Sequence, residues 1–569
     1  MGYLADRKKL RETKRALEIA QTENQIAKTK TNTAMLDAQR NAAQRFMDSG
    51  YSHGGASTSA TWAKKYHSES LSPKSDIEEN RKLLRERTRD LAMNAPIAIA
   101  AINSTRTSCV GTGLAPKPKI DYEFLGMSRQ YATNLQQKIK KEFAVWAEST
   151  LCDICDLNTF FELQQIAFND WLKNGEEFVL LSYGEELEYM PYQLRLKLVS
   201  ADRVSTPGSA DGEYDGFDRQ AKNGNAIMNG VEIDKDGKVA AYYICSNFPG
   251  EYSAKIPKWQ RVEKRGKKTG NPNILHVFNA DRAEQYRGVP FLAPVIMAIK
   301  QLTRYTEAEI MAAVINSMFT LFVSTETGND ISGFGGVDDE EPLNVSYPDK
   351  RSEDELQLGS GTINFLKTGE KIEPIESKHP SQNYDSFVSA FAMMIGAALE
   401  ISPEVLMKKF TNNFSASKGA LNETWRHFSM RRKWFVDDFC QPIYELWFAE
   451  AVSKGRINAP GFFVDPLIKK AYTNVTWTGP AQGCLNPVQE VNAAVTRIKE
   501  GLSTREDECA AINGSDYEDN VRTLTNENER LKEANRALKE DSEDNVHQPI
   551  WLMEGNSTLA QEAREDEKN

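Results

Sequence analysis

Between Leu10 and Ala38, small or apolar residues recur at Leu10, Leu17, Ala20, Ala27, Ala34 and Ala38, on an alternating three-and-four spacing interrupted by Thr13, Asn24 and Thr31. That spacing predicts a helix. Small residues stand where a strong coiled coil places Leu or Ile, so this helix is expected to need a partner. The Gly- and Ser-rich run 50–60 then breaks the pattern as a linker does. A second helical block follows, with Ser75 and Glu78 at capping-box spacing and Pro96 interrupting it after Ala95. Further helices are predicted over 128–148 and 159–174.

The texture then changes. EEFVLLSYG (176–184), YQLRLKLVSADRV (192–204), NGVEIDKDGKVAAYYIC (229–245) and NILHVFNADR (273–282) alternate apolar and polar residues, and Asp236-Gly237 sits where a hairpin turn belongs. The middle therefore reads as α+β. A long apolar helix is predicted over 290–323, followed by a Gly-rich acidic loop (333–344) and a short β-like stretch (361–375). An apolar helix over 385–400 is halted by Pro403. The polar run KKFTNNFSASKG (408–419) reads as a loop before a helix over 420–452, whose stripe of Trp425, Phe428, Trp434, Phe435, Phe439, Tyr444 and Trp447 reads as core. A last helix carries Leu524, Leu531 and Leu538 at heptad spacing, with Val521, Asn528 and Asn535 at the other seam position.

A chain of 569 residues exceeds one ordinary core, so two to four domains or an elongated multi-segment subunit are expected. No run of roughly 18 apolar residues is present, so no membrane span is expected, and the amino terminus lacks the apolar region of a secretory signal. A net charge of -11 argues against a bulk surface that grips nucleic acid, because tight binding requires cations to neutralise phosphates. Seven scattered cysteines fit synthesis in a reducing cytoplasm better than a disulfide framework.

Catalytic patterns are not found. There is no GxxxxGK followed by Ser or Thr to cradle phosphates, and the six histidines make no HExxH and no triad with Ser. Cys152 and Cys155 have no second ligand pair and read as structural thiols. His276, alternating with apolar neighbours, reads as a hydrogen-bonded strand residue. Asp211, Glu213, Asp215 and Asp218 read as a solvated turn. No cofactor and no metal are expected, and the chain is not expected to be an enzyme.

Six strings in order along the chain carry a resemblance: LAMNAPIAIAAINSTRTSCVGTGL (91–114), VSADRV (199–204), NGVEIDKDGKVAAYYI (229–244), HVFNADRAEQYRGVPFLAPVI (276–296), the SASKGALNETWRHF block (415–457) and WTGPAQGCLNPVQEV through YED (477–519). Together they resemble the portal protein family of lambda-like tailed bacteriophages, the head-to-tail connectors. The resemblance implies an α+β, mainly helical subunit of a ring of about twelve copies. Its parts would be a basic helical extension and linker (1–75), an α+β wing (76–289) and a first stem helix (290–320). An α/β clip (321–378), a second stem helix (379–401) and a tunnel loop with the long wing helix (402–460) would follow. A helical crown (461–540) and an acidic tail (541–569) would close the chain.

The resemblance further implies double-stranded DNA passing through the channel. It also implies contacts with the large terminase subunit, with the major capsid protein and scaffold, and with a head-completion or tail adaptor protein, in the virion at the capsid portal vertex. The tunnel loop would present Lys408, Lys409, Asn412, Asn413, Ser415 and Lys418 for transient phosphate contacts without base reading. An exposed wing loop is the alternative for this segment. Arg426, Arg431, Arg432 and Lys433 could reach phosphates or pair with acids of a neighbouring subunit. A different head-tail adaptor or scaffold protein is the alternative for the chain as a whole.

Overall fold

The computed structural model divides into two compact units, residues 1–72 and 73–569. It describes residues 2–47, 61, 64, 69–208, 219–248, 256–317, 321–323, 363–365, 384–410, 414–483 and 486–540. The first unit holds α1 (Gly2–Met47), longer than the helix predicted there, with its side chains exposed from 9 to 38. Thr13, Thr22, Thr29, Thr31 and Thr33 turn their hydroxyls back onto carbonyls one turn earlier, a bond that helix interiors allow.

The second unit begins with α2 (Arg81–Asn94), α3 (Pro96–Cys109), β1 (Ala115–Pro118), α4 (Arg129–Ala147) and α5 (Phe160–Asn174). Strands follow: β2 (Glu176–Tyr183), β3 (Leu194–Val199), β4 (Arg219–Gln220), β5 (Ala226–Met228), β6 (Val231–Ile233), β7 (Val239–Cys245), β8 (Trp259–Glu263) and β9 (Ile274–Phe278). Then come α6 (Ile296–Ser317), β10 (Leu321–Val323), β11 (Ile363–Phe365), α7 (Tyr384–Leu399), α8 (Pro403–Met407), α9 (Phe414–Phe435) and α10 (Gln441–Ser453). The chain closes with α11 (Pro466–Thr473), β12 (Val475–Thr478), α12 (Pro487–Lys499), α13 (Arg505–Ile512) and α14 (Tyr517–Glu540).

Local chemistry sets many of these ends. Ser128 caps α4 by accepting the Tyr131 N–H, and Thr159 with Glu162 forms a reciprocal capping box at α5, which Gly175 ends in the left-handed conformation. The Ser75 and Glu78 pair expected as a capping box lies inside a helical turn and not at its cap. A five-residue wide helical turn (Lys74–Glu78) stands there after Pro73, without a side-chain cap. Glu78 is buried instead and accepts from the Tyr286 N–H at 2.9 Å and the Asn229 amide at 2.9 Å. Two tertiary bonds outweigh one local cap.

The main core gathers α2 to α5, β2, β3, β9, α6, α7 and the aromatic helix. The aromatic stripe is core, as expected: Phe435, Phe439, Tyr444 and Trp447 are fully buried, and Phe143 meets Trp447 edge-on at 4.9 Å. The helix predicted over 420–452 is interrupted by a wide turn (Val436–Cys440) in which the Gln441 N–H reaches Val436 O, five residues back. Pro442 supplies the reason, since its ring lacks the donor for Asp438 O and crowds that carbonyl.

Two antiparallel sheets, β3-β2-β9 and the meander β4-β5-β6-β7-β8, enclose a smaller core around Phe178, Val204, Val231 and Tyr242. The Asp236-Gly237 hairpin forms as predicted: Gly237 has φ 80° and its N–H reaches Asp234 O. β1 pairs with β12, Ala115 opposite Thr478. Phe462, Tyr472 and Trp477 belong to the main core.

The helix predicted from 290 starts after a tight turn (Ala293–Val295) that contains Pro294. Tyr305 stacks on Tyr384 at 6.0 Å, while Pro294 lines a cavity with Ala398 and Leu399, so α6 and α7 run antiparallel. Of the segment 321–378 only the parallel pair β10 and β11 is described. Asp211, Glu213, Asp215, Asp218, Asn412, Asn413 and the tail 541–569 lie outside the described residues.

Candidate channel-facing segment

The predicted site residues fall on the connection from α7 to α9. Glu400 follows α7 with a left-handed φ of 57°, and the Ile401 N–H folds back to Gly396 O at 2.9 Å. A Cβ on Gly396 would stand 2.5 Å from Ile401 O, so only glycine lets the chain turn this close. Ser402 caps α8 through the Val405 N–H, Pro403 starts it, and Lys408 ends it with φ 54°. Two left-handed non-glycine residues thus bracket α8, each strained by about 1 kcal/mol.

Lys408 is exposed, and Lys409 stands 3.2 Å from Asp385 with both groups in solvent, a pair worth little. Ser415 and Lys418 are not in a loop. α9 begins at Phe414, earlier than the predicted 420, and Lys418, half-buried, donates to Glu490 at 2.5 Å and ties α9 to α12. Nothing in the 408–419 string named Glu490 as its partner, because the two are 72 residues apart.

The four cations that follow divide by helix face. Arg426 is exposed beside Glu423 at 3.3 Å, and Lys433 is exposed beside Asp437. Arg432 points inward and donates to Ser108 O at 2.8 Å, Cys109 O at 2.9 Å and Pro480 O at 2.7 Å, so it closes the carbonyl end of α3. Arg431 lies 4.4 Å over the Phe291 ring, and its Nε donates to His427 Nε2 at 2.8 Å. Because Arg431 can only donate, Nε2 is bare and Nδ1 carries the proton, which it donates to Glu400 Oε2 at 2.9 Å. Sequence reasoning missed this relay. The four-residue spacing of His427 and Arg431 is a signal for half of it.

Burial, then the Arg431 cation, pushes the His427 pKa below its ordinary value. The folded chain therefore takes up this proton less readily than the unfolded chain. The relay's contribution is complete above the unfolded histidine value of about 6.5 and is lost as pH falls below it. Thermal unfolding at about pH 7.5 and about pH 5 checks this: His427→Gln is expected to lose less stability over that range than wild type. Equal losses would remove His427 as the titrating group.

Beyond this segment, His276 is the hydrogen-bonded strand residue expected, 3.0 Å from Glu176, with burial lowering its pKa to about 4. Cys152 is buried, which pushes its thiol up to about 12, while Cys155 is exposed. Among the described residues, no group of three or more His, Cys, Asp or Glu side chains is placed to hold a metal ion.

Along this connection Arg432 holds a helix end, Arg431 and Lys418 are held by neighbouring side chains, and Lys408 and Lys409 stand exposed on the bend. The chain belongs to the lambda family of phage portal proteins, whose family model matches residues 60–432. It is 23% identical over 450 residues to portal protein B of Escherichia phage lambda, covering 76% of this chain and 81% of that protein. It is equally similar to the portal protein of Escherichia phage N15, and 21% identical over 468 residues to the probable portal protein of Halomonas phage phiHAP-1, covering 80% and 82%. A solved virion of a native gene transfer agent particle aligns over 77% of this chain and 94% of its own at 9% identity, TM-score 0.33. The family is structural and its members form part of the virion. No described helix is long and apolar enough to cross a membrane.

Proposed function

We propose that the chain closes into a ring of about twelve copies at one capsid vertex, the channel for DNA packaging and ejection. On this reading the ring docks the terminase motor and afterwards the tail or head-completion proteins. The wing takes 76–289 with the aromatic helix, α6 and α7 are the stem, and 321–378 is the clip. The crown takes 461–540, with its first residues Phe462, Tyr472 and Trp477 packed into the main core.

The observation that carries this reading is the antiparallel pair α6 and α7. The pair lies within the family-matched residues and is followed at once by a lysine-bearing bend. A channel that gripped every phosphate would hold the genome still, since each contact adds salt-sensitive affinity. An acidic subunit with few mobile cations lets it slide. Lys408 and Lys409, with Asn412, Asn413 and Ser415, are the groups proposed to touch passing phosphates, while Lys418 is held by Glu490. Arg431 and Arg432 are committed within the subunit.

Electron microscopy with two-dimensional classification tests the reading: rings with an open central channel support it, and a monomer or closed dimer overturns it. Lys408→Ala is expected to leave rings intact and to lower DNA retention in packaged particles by roughly the loss of one phosphate contact per subunit. Unchanged packaging and retention would remove Lys408 from the channel wall.

A further inference from the structure

α14 leaves the body as a bare helix. Its first turns are tied down by Lys140, which pairs with Asp516 and Asp519, and by Arg522, which donates to Gln137 at 3.1 Å. From 521 to 534 every side chain is exposed, including Val521, Leu524 and Leu531. These apolar residues are not scattered. With Val521 as position a, Asn528 and Asn535 also fall at a, and Leu524, Leu531 and Leu538 all fall at d. A strict a/d stripe over three heptads is the seam of a coiled coil and is narrower than the face that packs on a globular core.

We infer that α14 pairs with α14 of a second copy of this chain as a parallel, in-register, two-stranded coiled coil. Three features select that occupant. Asparagine at a is satisfied by an identical asparagine at the same level, and it favours two strands in one register. Glu527 occupies g and Lys532 the following e, the positions that face each other across a parallel pair, so each dimer gains two opposite-charge contacts. An antiparallel partner would set e against e, with Thr525, Lys532 and Lys539, and g against g, with Glu527 and Ala534, and no opposite charges would meet.

The inference goes beyond the ring reading and has a consequence for it. A two-stranded seam uses the same stripe on both chains and closes on itself, so it joins subunits two at a time. In a ring, the helices of this layer would pair alternately, and their rotational symmetry would be half that of the body.

The test uses the full chain carrying Cys155→Ser, Cys484→Ser and Cys509→Ser, with Leu524→Cys as the reporter, oxidised with diamide. Position 524 lies off the centre of α14, so a disulfide between copies forms at this level only in a parallel, in-register pair. Cross-linked dimers are expected on a denaturing gel. Adding Glu527→Lys sets lysine against lysine and should weaken pairing roughly tenfold, and adding Lys532→Glu to that variant should restore it.

A cross-link indifferent to these charges would mean chance proximity and would overturn the proposal, as would no cross-link. Rings seen by microscopy without a cross-link overturn the coiled coil alone. A chain that stays monomeric overturns both readings.

Discussion

Arg287→Met is expected to destabilise the second unit by about 3–5 kcal/mol, enough to remove most soluble folded protein. Arg287 is fully buried, and each of its five N–H groups has an acceptor. Its Nε and Nη2 clamp Glu176 at 2.8 and 2.7 Å, Nη1 reaches Val204 O at 2.9 Å and also Asn229 O, and Nη2 reaches Ala201 O at 3.0 Å. Arg85 at 2.8 Å, Arg81 at 3.2 Å, His276 and the Gly288 N–H complete the shell of the Glu176 carboxylate. Burial alone would raise the Glu176 pKa, but Arg287, His276 and Arg81 hold it well below the usual carboxylate range.

Methionine would fill the volume while leaving a buried carboxylate short of its main partner and three carbonyls without donors. Lysine, with three donors and no planar fork, would fail nearly as badly. Unfolding midpoints in denaturant, read alongside soluble yield, check this. A midpoint close to wild type for Arg287→Met would show that the cluster contributes little.

Gly288→Ala is the second large effect, at about 3 kcal/mol. A Cβ at Gly288 would stand 1.9 Å from Gly175 O and 2.6 Å from its carbonyl carbon, and backbone cannot swing aside as a side-chain tip can. Gly175 is the left-handed end of α5, and the Phe291 N–H bonds Leu172 O at 2.9 Å, so this contact presses the start of the α6 connection onto the end of α5. Moving it would also pull the Gly288 N–H from Glu176. Gly419→Ala is the control: it sits in α9 with nothing within 4 Å of its Cβ, and is expected to gain about 0.5–1 kcal/mol. If both alanines behave alike, the close approach at Gly288 has no energetic weight. This pair of contacts gives the string YRGVP a physical meaning, with arginine for the buried cluster and glycine for the backbone contact.

Much of the architecture was legible along the chain. Periodicity located α1, α4, α5, α7 and the long aromatic helix, and alternation located β2, β3, β7 and β9. Both rest on local geometry, the 3.6-residue turn and the two-residue pleat. Turn chemistry predicted the Asp236-Gly237 hairpin, because a left-handed glycine is a local requirement. The aromatic stripe was legible as core because that much apolar area on one face has to leave water. The start of α9 was not. A run of Ser, Lys, Gly and Asn reads as loop by propensity, yet Ser417 is buried and Lys418 is held by Glu490, and such tertiary contacts override propensities of a few tenths of a kcal/mol.

By itself the sequence determined where most helices and strands run, that the bulk charge is acidic, which family the chain resembles, and that α14 carries apolar residues at heptad spacing. Each of these depends on neighbours in the chain or on totals over it. Only the tertiary structure decided the fate of adjacent like residues. Arg426 and Lys433 face water while Arg431 and Arg432 are drawn inward, toward carbonyls more than 300 residues away in one case. Glu176 is an ion held by three arginines, whereas Glu177 on the other side of the same strand is buried, and its pKa is pushed well up by that burial, by Asp170 and by Glu176. A charge's role is set by what is packed against it, and packing joins residues that no local pattern connects.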